Sequence, residues 1–220
     1  LSWLSRGTGA HAGLPVALEG APLHRARAAV VLLHGRAGNP YAILRHARVL
    51  GQPDLALLAP QAEGRSWYPA RFVRPLAENA AHLDSAFSVV DGLIAAAGLP
   101  PERVALMGFS QGACVSLEYV VRRRPRLGAV IALSGGLMGA APPDPAPEPG
   151  LAGLPVLLAG GREDRQIPLA RVLETEDALG RLGADVTLHL RDGDLHGVTE
   201  AERRLAATLL ARLGTAPAGA

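Results

Sequence analysis

The sequence predicts an α/β protein with a mostly parallel central sheet and helices on both of its faces. Three observations carry this prediction. Short runs rich in Val, Leu and Ala alternate with longer stretches of helical periodicity, the order that strand-helix crossovers produce. Four of the apolar runs are nearly uninterrupted, as strands covered on both faces require. The chain has 220 residues, and single α/β domains commonly run to about 200–250 residues. One domain is therefore expected across 1–220, with 1–20 as an irregular N-terminal segment and 214–220 as a flexible tail.

The elements follow in order. "AAVVLLHG" and "DLALLAP" read as the first two core strands. After them, "LAENAAHLDSAFSVVDGLIAAAG" repeats apolar residues at spacings of three and four through Leu76, Ala80, Leu83, Phe87, Val90, Ile94 and Ala97, which predicts an amphipathic helix. Gly98 and Pro100 stop it. "RVALMG" is the third strand, followed by the helical pattern "QGACVSLEYVVRR", and "GAVIALSG" is the fourth. Residues 139–150, "GAAPPDPAPEPG", are too rich in proline for regular structure and read as a mobile loop near the edge of the sheet. "PVLLAGG" and "DVTLHLRDG" complete the strands. The last helix, "TEAERRLAATLLARLG", turns Leu205, Leu209 and Leu210 inward, and Thr199 with Glu202 forms a capping box at its start. No internal repeat is visible, which argues against a solenoid.

Composition narrows the function classes. Hydrophobic residues make up 49% of the chain and charged residues 19%, the balance of a globular protein rather than a disordered one. No apolar run reaches the ~18 residues of a membrane span. The opening residues lack the basic and then apolar order of a secretory leader, so a cytoplasmic protein without stable membrane insertion is expected. The net charge is only +2 although the isoelectric point is about 9.2. Every cation is an arginine and there is no lysine, so almost nothing titrates between neutrality and that value. This balance makes no case for nucleic acid. The densest basic run, Arg122, Arg123, Arg124, Pro125 and Arg126, reads as a helix C-terminus, where cations favour the macrodipole. The single cysteine, Cys114, forbids an internal disulfide and a multi-cysteine metal site, and is expected in the core.

Gly108-Phe109-Ser110-Gln111-Gly112 matches G-x-S-x-G, and its setting matters more than its letters. A strand precedes it and a helix follows. In such an elbow the serine takes strained backbone angles, the glycines permit close approach of neighbouring backbone, and the helix N-terminus faces the reacting oxygen. Ser110 is therefore the candidate nucleophile. A serine hydroxyl needs a base, and the base needs an orienting acid. In serine enzymes of this layout the chain order is Ser, then Asp or Glu, then His. His196, in the loop between the last strand and the last helix, fits the base. His189 lies within a strand and reads as a partly exposed strand residue, while His11, His24, His46 and His82 carry no motif. The turn after "VLLAGG" offers Glu163 and Asp164, of which Asp164 reaches further past the strand end and is preferred; Asp192 and Asp194 share the loop of His196 and have little room behind its ring. Two backbone N–H groups suit an oxyanion: that of Gln111, next after the serine, and that of Arg36, in the loop after the first core strand, where His34 reads as structural.

With these pieces in place, the sequence resembles the phospholipase/carboxylesterase family of α/β hydrolases, which includes acyl-protein thioesterases. The resemblance spans about residues 28–213 and rests on "VVLLHGRAGN", "LLAPQAEGRSWYP", "GFSQGA", "IALSGG", "GREDRQIP" and "DGDLHGVTEAE" in that order. It implies the α/β-hydrolase fold, puts Ser110, Asp164 and His196 on the family's triad and Arg36 and Gln111 on its oxyanion hole, and implies hydrolysis of a small-molecule ester. No metal and no organic cofactor is expected, and a homo-oligomer is left open. Arg36 departs from the leucine usual in acyl-protein thioesterases: its guanidinium either attracts acidic substrates or points to solvent. Trp67 is a candidate wall of the acyl or alcohol pocket, or else an anchor for its loop. Leu137 and Met138 either line the acyl pocket or pack under the proline-rich loop. The expected activity is that of a serine carboxylesterase on short to medium acyl esters. The alternatives are a thioesterase or lysophospholipase acting on longer chains, and a catalytically silent binding protein.

Overall fold

The computed structural model of the protein describes residues 3–141 and 150–214. Eight strands form one sheet: β1 (Trp3–Leu4), β2 (Pro15–Gly20), β3 (Ala28–Leu33), β4 (Leu55–Pro60), β5 (Val104–Phe109), β6 (Ala129–Leu133), β7 (Pro155–Gly161) and β8 (Asp185–Arg191). Their order across the sheet is β1-β2-β4-β3-β5-β6-β7-β8. The pairs from β4 to β8 are all parallel, while β2 joins β4 and β1 joins β2 antiparallel.

Five helices cover the two faces: α1 (Pro40–Arg48), α2 (Ala80–Ala97), α3 (Gln111–Arg123), α4 (Leu169–Arg181) and α5 (Glu200–Ala211). Buried side chains of α2, α3 and α4 share one cluster, represented by Phe87, Leu117 and Val172. Those of α1 and α5, represented by Ile43 and Leu210, share the other. Every residue of β3 and of β4 is buried, because each strand has helices above and below it. This explains the uninterrupted apolar runs.

The N-terminal segment expected to be irregular instead supplies β1 and β2. In β2, Val16 is buried while Leu18 is exposed, a half-solvated strand with too weak a pattern to read beside the all-apolar runs. His11 is buried in the connection, its amide bonded to Ser85 Oγ on α2. The Thr199 and Glu202 capping box forms as expected, a device worth ~1 kcal/mol at a helix start. In α5, Leu210 is buried and Leu205 and Leu209 are partly so. The basic run ends α3, with Arg124 capping it in the left-handed conformation and Arg122 paired to Glu118. By length and composition α2 is apolar enough to cross a bilayer, yet Leu83, Phe87, Val90 and Leu93 pack into the core. The proline-rich loop and the tail lie almost wholly outside the described residues.

One feature of the topology locates the site. From β3 the chain moves to β4 on one side, and β5 lies on the other. Loops leaving β3 and β5 therefore diverge at their C-terminal ends, the crevice where open α/β sheets bind ligands.

Candidate active site

Ser110 stands between β5 and α3 with φ 53° and ψ −117°, a conformation that non-glycine residues seldom hold. The flanking glycines make it possible. A Cβ on Gly108 would lie 2.3 Å from the Gly112 carbonyl oxygen, and one on Gly112 would lie 2.1 Å from the Leu33 carbonyl oxygen. The elbow is held from behind, where the Ser110 amide donates to Leu133 O at 2.9 Å.

The structure brings Ser110, His196 and Asp164 together. Ser110 Oγ lies 2.8 Å from His196 Nε2, and His196 Nδ1 lies 2.7 Å from Asp164 Oδ2. Asp164 follows β7 and is buried; its Oδ1 accepts from the amides of Gln166 at 2.8 Å and Ile167 at 3.1 Å. The Phe109 ring packs on His196 with centroids 5.3 Å apart. Glu163, Asp192 and Asp194 take no part in this run. His189 is partly buried in β8 opposite Ala159, away from Ser110.

A residue that the sequence did not mark supports this arrangement. Arg191, buried at the end of β8, pairs with Glu202 at 2.5 Å, donates to Ser134 Oγ at 3.0 Å and to the Leu195 carbonyl, and lies 3.8 Å from Asp164 Oδ2. It ties the histidine loop to the sheet and to α5. Its only signal in the sequence is a cation at the end of an apolar strand.

The opposite side of the site is a loop clipped down by side chains. Gln111 Oε1 accepts from the Trp67 amide at 2.8 Å, and Gln111 Nε2 donates to Tyr68 O at 2.7 Å and Ser66 Oγ at 3.1 Å. Arg36 reaches across to donate to Ser66 Oγ at 3.1 Å and to the carbonyls of Tyr68 at 2.9 Å, Pro69 at 3.3 Å and Ala70 at 3.3 Å. Neither of the two readings of Arg36, attraction of acidic substrates or a guanidinium pointing to solvent, includes this bonding: the guanidinium binds the loop, although the residue is exposed. The backbone amides of Arg36 and Gln111 donate to no acceptor among the described residues.

Below the loop lies a polar support. Trp67 is fully buried and donates from Nε1 to His34 O at 2.8 Å. His34 Nδ1 donates to Gly35 O at 2.8 Å while Nε2 accepts from the Ala62 amide at 3.1 Å. Burial holds the His34 pKa below its ordinary value, so the neutral ring makes these bonds. Cys114 is buried under the site, and desolvation raises its thiol pKa, which opposes a thiolate.

A pocket of about 350 Å³ opens on Ser110. Its apolar walls are Tyr68, Phe72 and Ile167, and it also takes in Arg36, Arg71 and Arg165. Trp67, Leu137 and Met138 are not among its lining residues. Trp67 is the loop anchor just described, and Leu137 and Met138 are buried with their amides bonded to Thr175 Oγ1 and Glu118 Oε1. Tyr68 and Phe72 line the pocket instead; an aromatic beside Trp67 was the available signal for the first. Among the described residues, no cluster of three or more His, Cys, Asp or Glu side chains is arranged to hold a metal ion.

A hydroxyl, an imidazole and a buried carboxylate in one hydrogen-bonded run can move a proton off the hydroxyl as it attacks a carbonyl. Comparison with known proteins shows the family to which the chain belongs. A phospholipase/carboxylesterase crystallised from Dyadobacter fermentans is 34% identical and covers 94% of this chain and 100% of its own, with a TM-score of 0.84. The crystal structure of esterase PE8 is 26% identical over 90% of this chain and 97% of its own, with a TM-score of 0.73. NocK of Nocardia uniformis subsp. tsuyamanensis, whose name assigns it only provisionally as an esterase, is 32% identical over 158 residues, 69% of this chain. The match spans 42% of the length of NocK. Residues 20–212 match the family described as Phospholipase/Carboxylesterase, and the chain belongs to that family of α/β hydrolases.

Proposed function

We propose that the protein is a serine carboxylesterase that hydrolyses short to medium acyl esters through an acyl-serine intermediate. The observation that carries this reading is the hydrogen-bonded run from Ser110 Oγ through His196 to Asp164, ending at a pocket. Ser110 Oγ attacks the ester carbonyl while His196 Nε2 takes its proton. The charge that gathers on the carbonyl oxygen is met by the amides of Arg36 and Gln111, with the α3 N-terminus behind them. Collapse expels the alcohol, which takes the proton from His196, and water then repeats the two steps on the acyl-serine. Asp164 keeps Nδ1 protonated and the ring oriented throughout. This chemistry consumes no cofactor, and the proposed setting is the cytoplasm.

The pocket of about 350 Å³ favours short to medium acyl groups over long ones. The test compares hydrolysis of p-nitrophenyl esters from butyrate to palmitate by the native protein and by Ser110→Ala, with circular dichroism confirming that both are folded. Expected are activity highest toward the short end and its loss in the variant, by about 10⁶-fold in turnover if Ser110 behaves as such serines do. Equal activity in both proteins would contradict the mechanism, and activity rising steeply toward palmitate would contradict the acyl range.

A further inference from the structure

We infer that the preferred ester carries an anionic group, a carboxylate or a phosphate, which the pocket recognises through Arg71 and Arg165 in the field of Arg36. The inference rests on the serine-esterase reading and names its substrate class. Three of the residues lining the pocket at Ser110 are arginines, and no Asp or Glu is among those described there. About half of the chain's other arginines meet a carboxylate, while Arg65 and Arg103, like Arg36, meet only carbonyls or hydroxyls. Arg27, Arg48, Arg74, Arg122, Arg126, Arg162, Arg171, Arg181, Arg191 and Arg203 each meet a carboxylate. Arg36 meets only neutral acceptors, a hydroxyl and three carbonyls. The Arg71 and Arg165 side chains form no hydrogen bond or ion pair among the described residues.

No carboxylate among the described residues offsets the charge of these three exposed arginines. A bound anion gains charge-assisted hydrogen bonds with them, which the planar, forked guanidinium makes bidentate with carboxylate or phosphate. Asp164, the acid at this site, is engaged with His196 and two backbone amides and is not a partner for them. Arg36 is pinned by its bonds to the loop, so it contributes a fixed positive field. Arg71 and Arg165 are exposed, and none of their side-chain donors is engaged among the described residues. The aromatic walls, Tyr68 and Phe72, give the same pocket an apolar side for the rest of the ester.

The experiment uses two matched pairs of esters, followed by pH-stat. Monomethyl glutarate against dimethyl glutarate places the charge on the acyl side. 1-Butyrylglycerol 3-phosphate against 1-butyrylglycerol places it on the alcohol side. The expected result is a KM at least about fivefold lower for the anionic member of one pair, weakening as salt is raised, since exposed ion pairs are modest and screened. Replacing Arg71→Gln and Arg165→Gln together is expected to raise the KM of that anionic ester several times more than that of its neutral partner. The pair that responds identifies the anion and its side. Neutral esters hydrolysed as well as or better than anionic ones in both pairs, or an equal shift of both members in the double variant, would overturn the inference while leaving the serine mechanism standing. Hydrolysis that survives Ser110→Ala, or no hydrolysis of any of the four esters by folded protein, would overturn the serine-esterase reading and this inference with it.

Discussion

The two sides of the site are built differently. On one side, Ser110, Asp164 and His196 follow the ends of β5, β7 and β8, and the acid and its neighbour Arg191 are buried, bonded to backbone, to buried Ser134 and Glu202 and to partly buried His196. On the other side, residues 66–72 form a loop without strand or helix, held by the side chains of Gln111 and Arg36 and resting on Trp67, His34 and His11. The strand-end side fixes reacting atoms to within a hydrogen bond. The loop side presents Tyr68, Phe72, Arg36 and Arg71 to the pocket, and the turn that carries Asp164 adds Arg165 and Ile167. The reacting groups are thus placed on strand ends, and part of the pocket wall on a loop held by side-chain hydrogen bonds.

The largest expected effect breaks the strand-end side alone. Asp164→Asn leaves the shape of the turn but presents an amide to His196, and turnover is expected to fall by ~10³ to 10⁴ with KM little changed. Steady-state kinetics on p-nitrophenyl butyrate check this, and unchanged turnover would remove Asp164 from the mechanism.

A smaller effect is expected on the loop side. Gln111→Met keeps the backbone amide and the volume but strands the Trp67 amide, while the Tyr68 carbonyl keeps Arg36 and the Ser66 hydroxyl as donors. Leaving such an amide without a partner costs about 1–3 kcal/mol when it stays buried. The loop is therefore expected to open locally, seen as faster hydrogen exchange at the Trp67 amide and a KM raised several-fold, while the exchange of β5 and β7 is unchanged. Faster exchange throughout the sheet would show that the two sides are one cooperative unit.

The smallest effect separates the sides by pH. Burial is the main cause holding the His11 and His34 pKa values below the ordinary 6.5, and His46 shifts in the same direction for the same reason. A group whose folded pKa is depressed by burial stabilises the fold in its neutral form, fully above 6.5, and that stability is lost as pH falls toward the folded value. Glu19 and Asp54, held below 4.5 and 3.8 by Arg48 and Arg27, lose theirs only at lower pH. The melting temperature is expected to fall as pH drops from about 7 to about 5, with exchange at the Trp67 carbonyl's neighbours rising first. A flat melting temperature over that interval would contradict the role given to these histidines.

Much of the strand-end side was legible because its constraints are local. The apolar runs of β3 to β7 and the glycines around Ser110 follow from chain geometry over a few residues; Asp164 and His196, 32 and 86 residues from their partners, were legible only through the strand-end positions and chain order of this enzyme layout. The start of α1 also carries a plain signal, Asn39 capping with Pro40 at the first turn, although the sequence reading singled out no helix there. The loop side was less legible because its contacts are long-range. Arg36 and Ser66 are 30 residues apart, Trp67 and Gln111 44, and His11 and Trp67 56. No spacing rule links such pairs, so Trp67 was equally readable as wall or anchor, and Arg191 and the trio of arginines were not visible as neighbours of the site. The strands β1 and β2 escaped for a different reason: an edge ribbon with one solvated face lacks the continuous apolar run that marked the rest.

In the proposed reaction Ser110 is the one group that becomes acylated. The most direct measurement treats the folded protein with a fluorophosphonate, follows loss of esterase activity, and locates the adduct by peptide mass spectrometry. One phosphonyl group per chain on Ser110, appearing in step with the loss of activity and absent from Ser110→Ala, is the predicted result. Activity that persists with Ser110 labelled, or that is lost with the adduct on another residue such as Cys114, would contradict it.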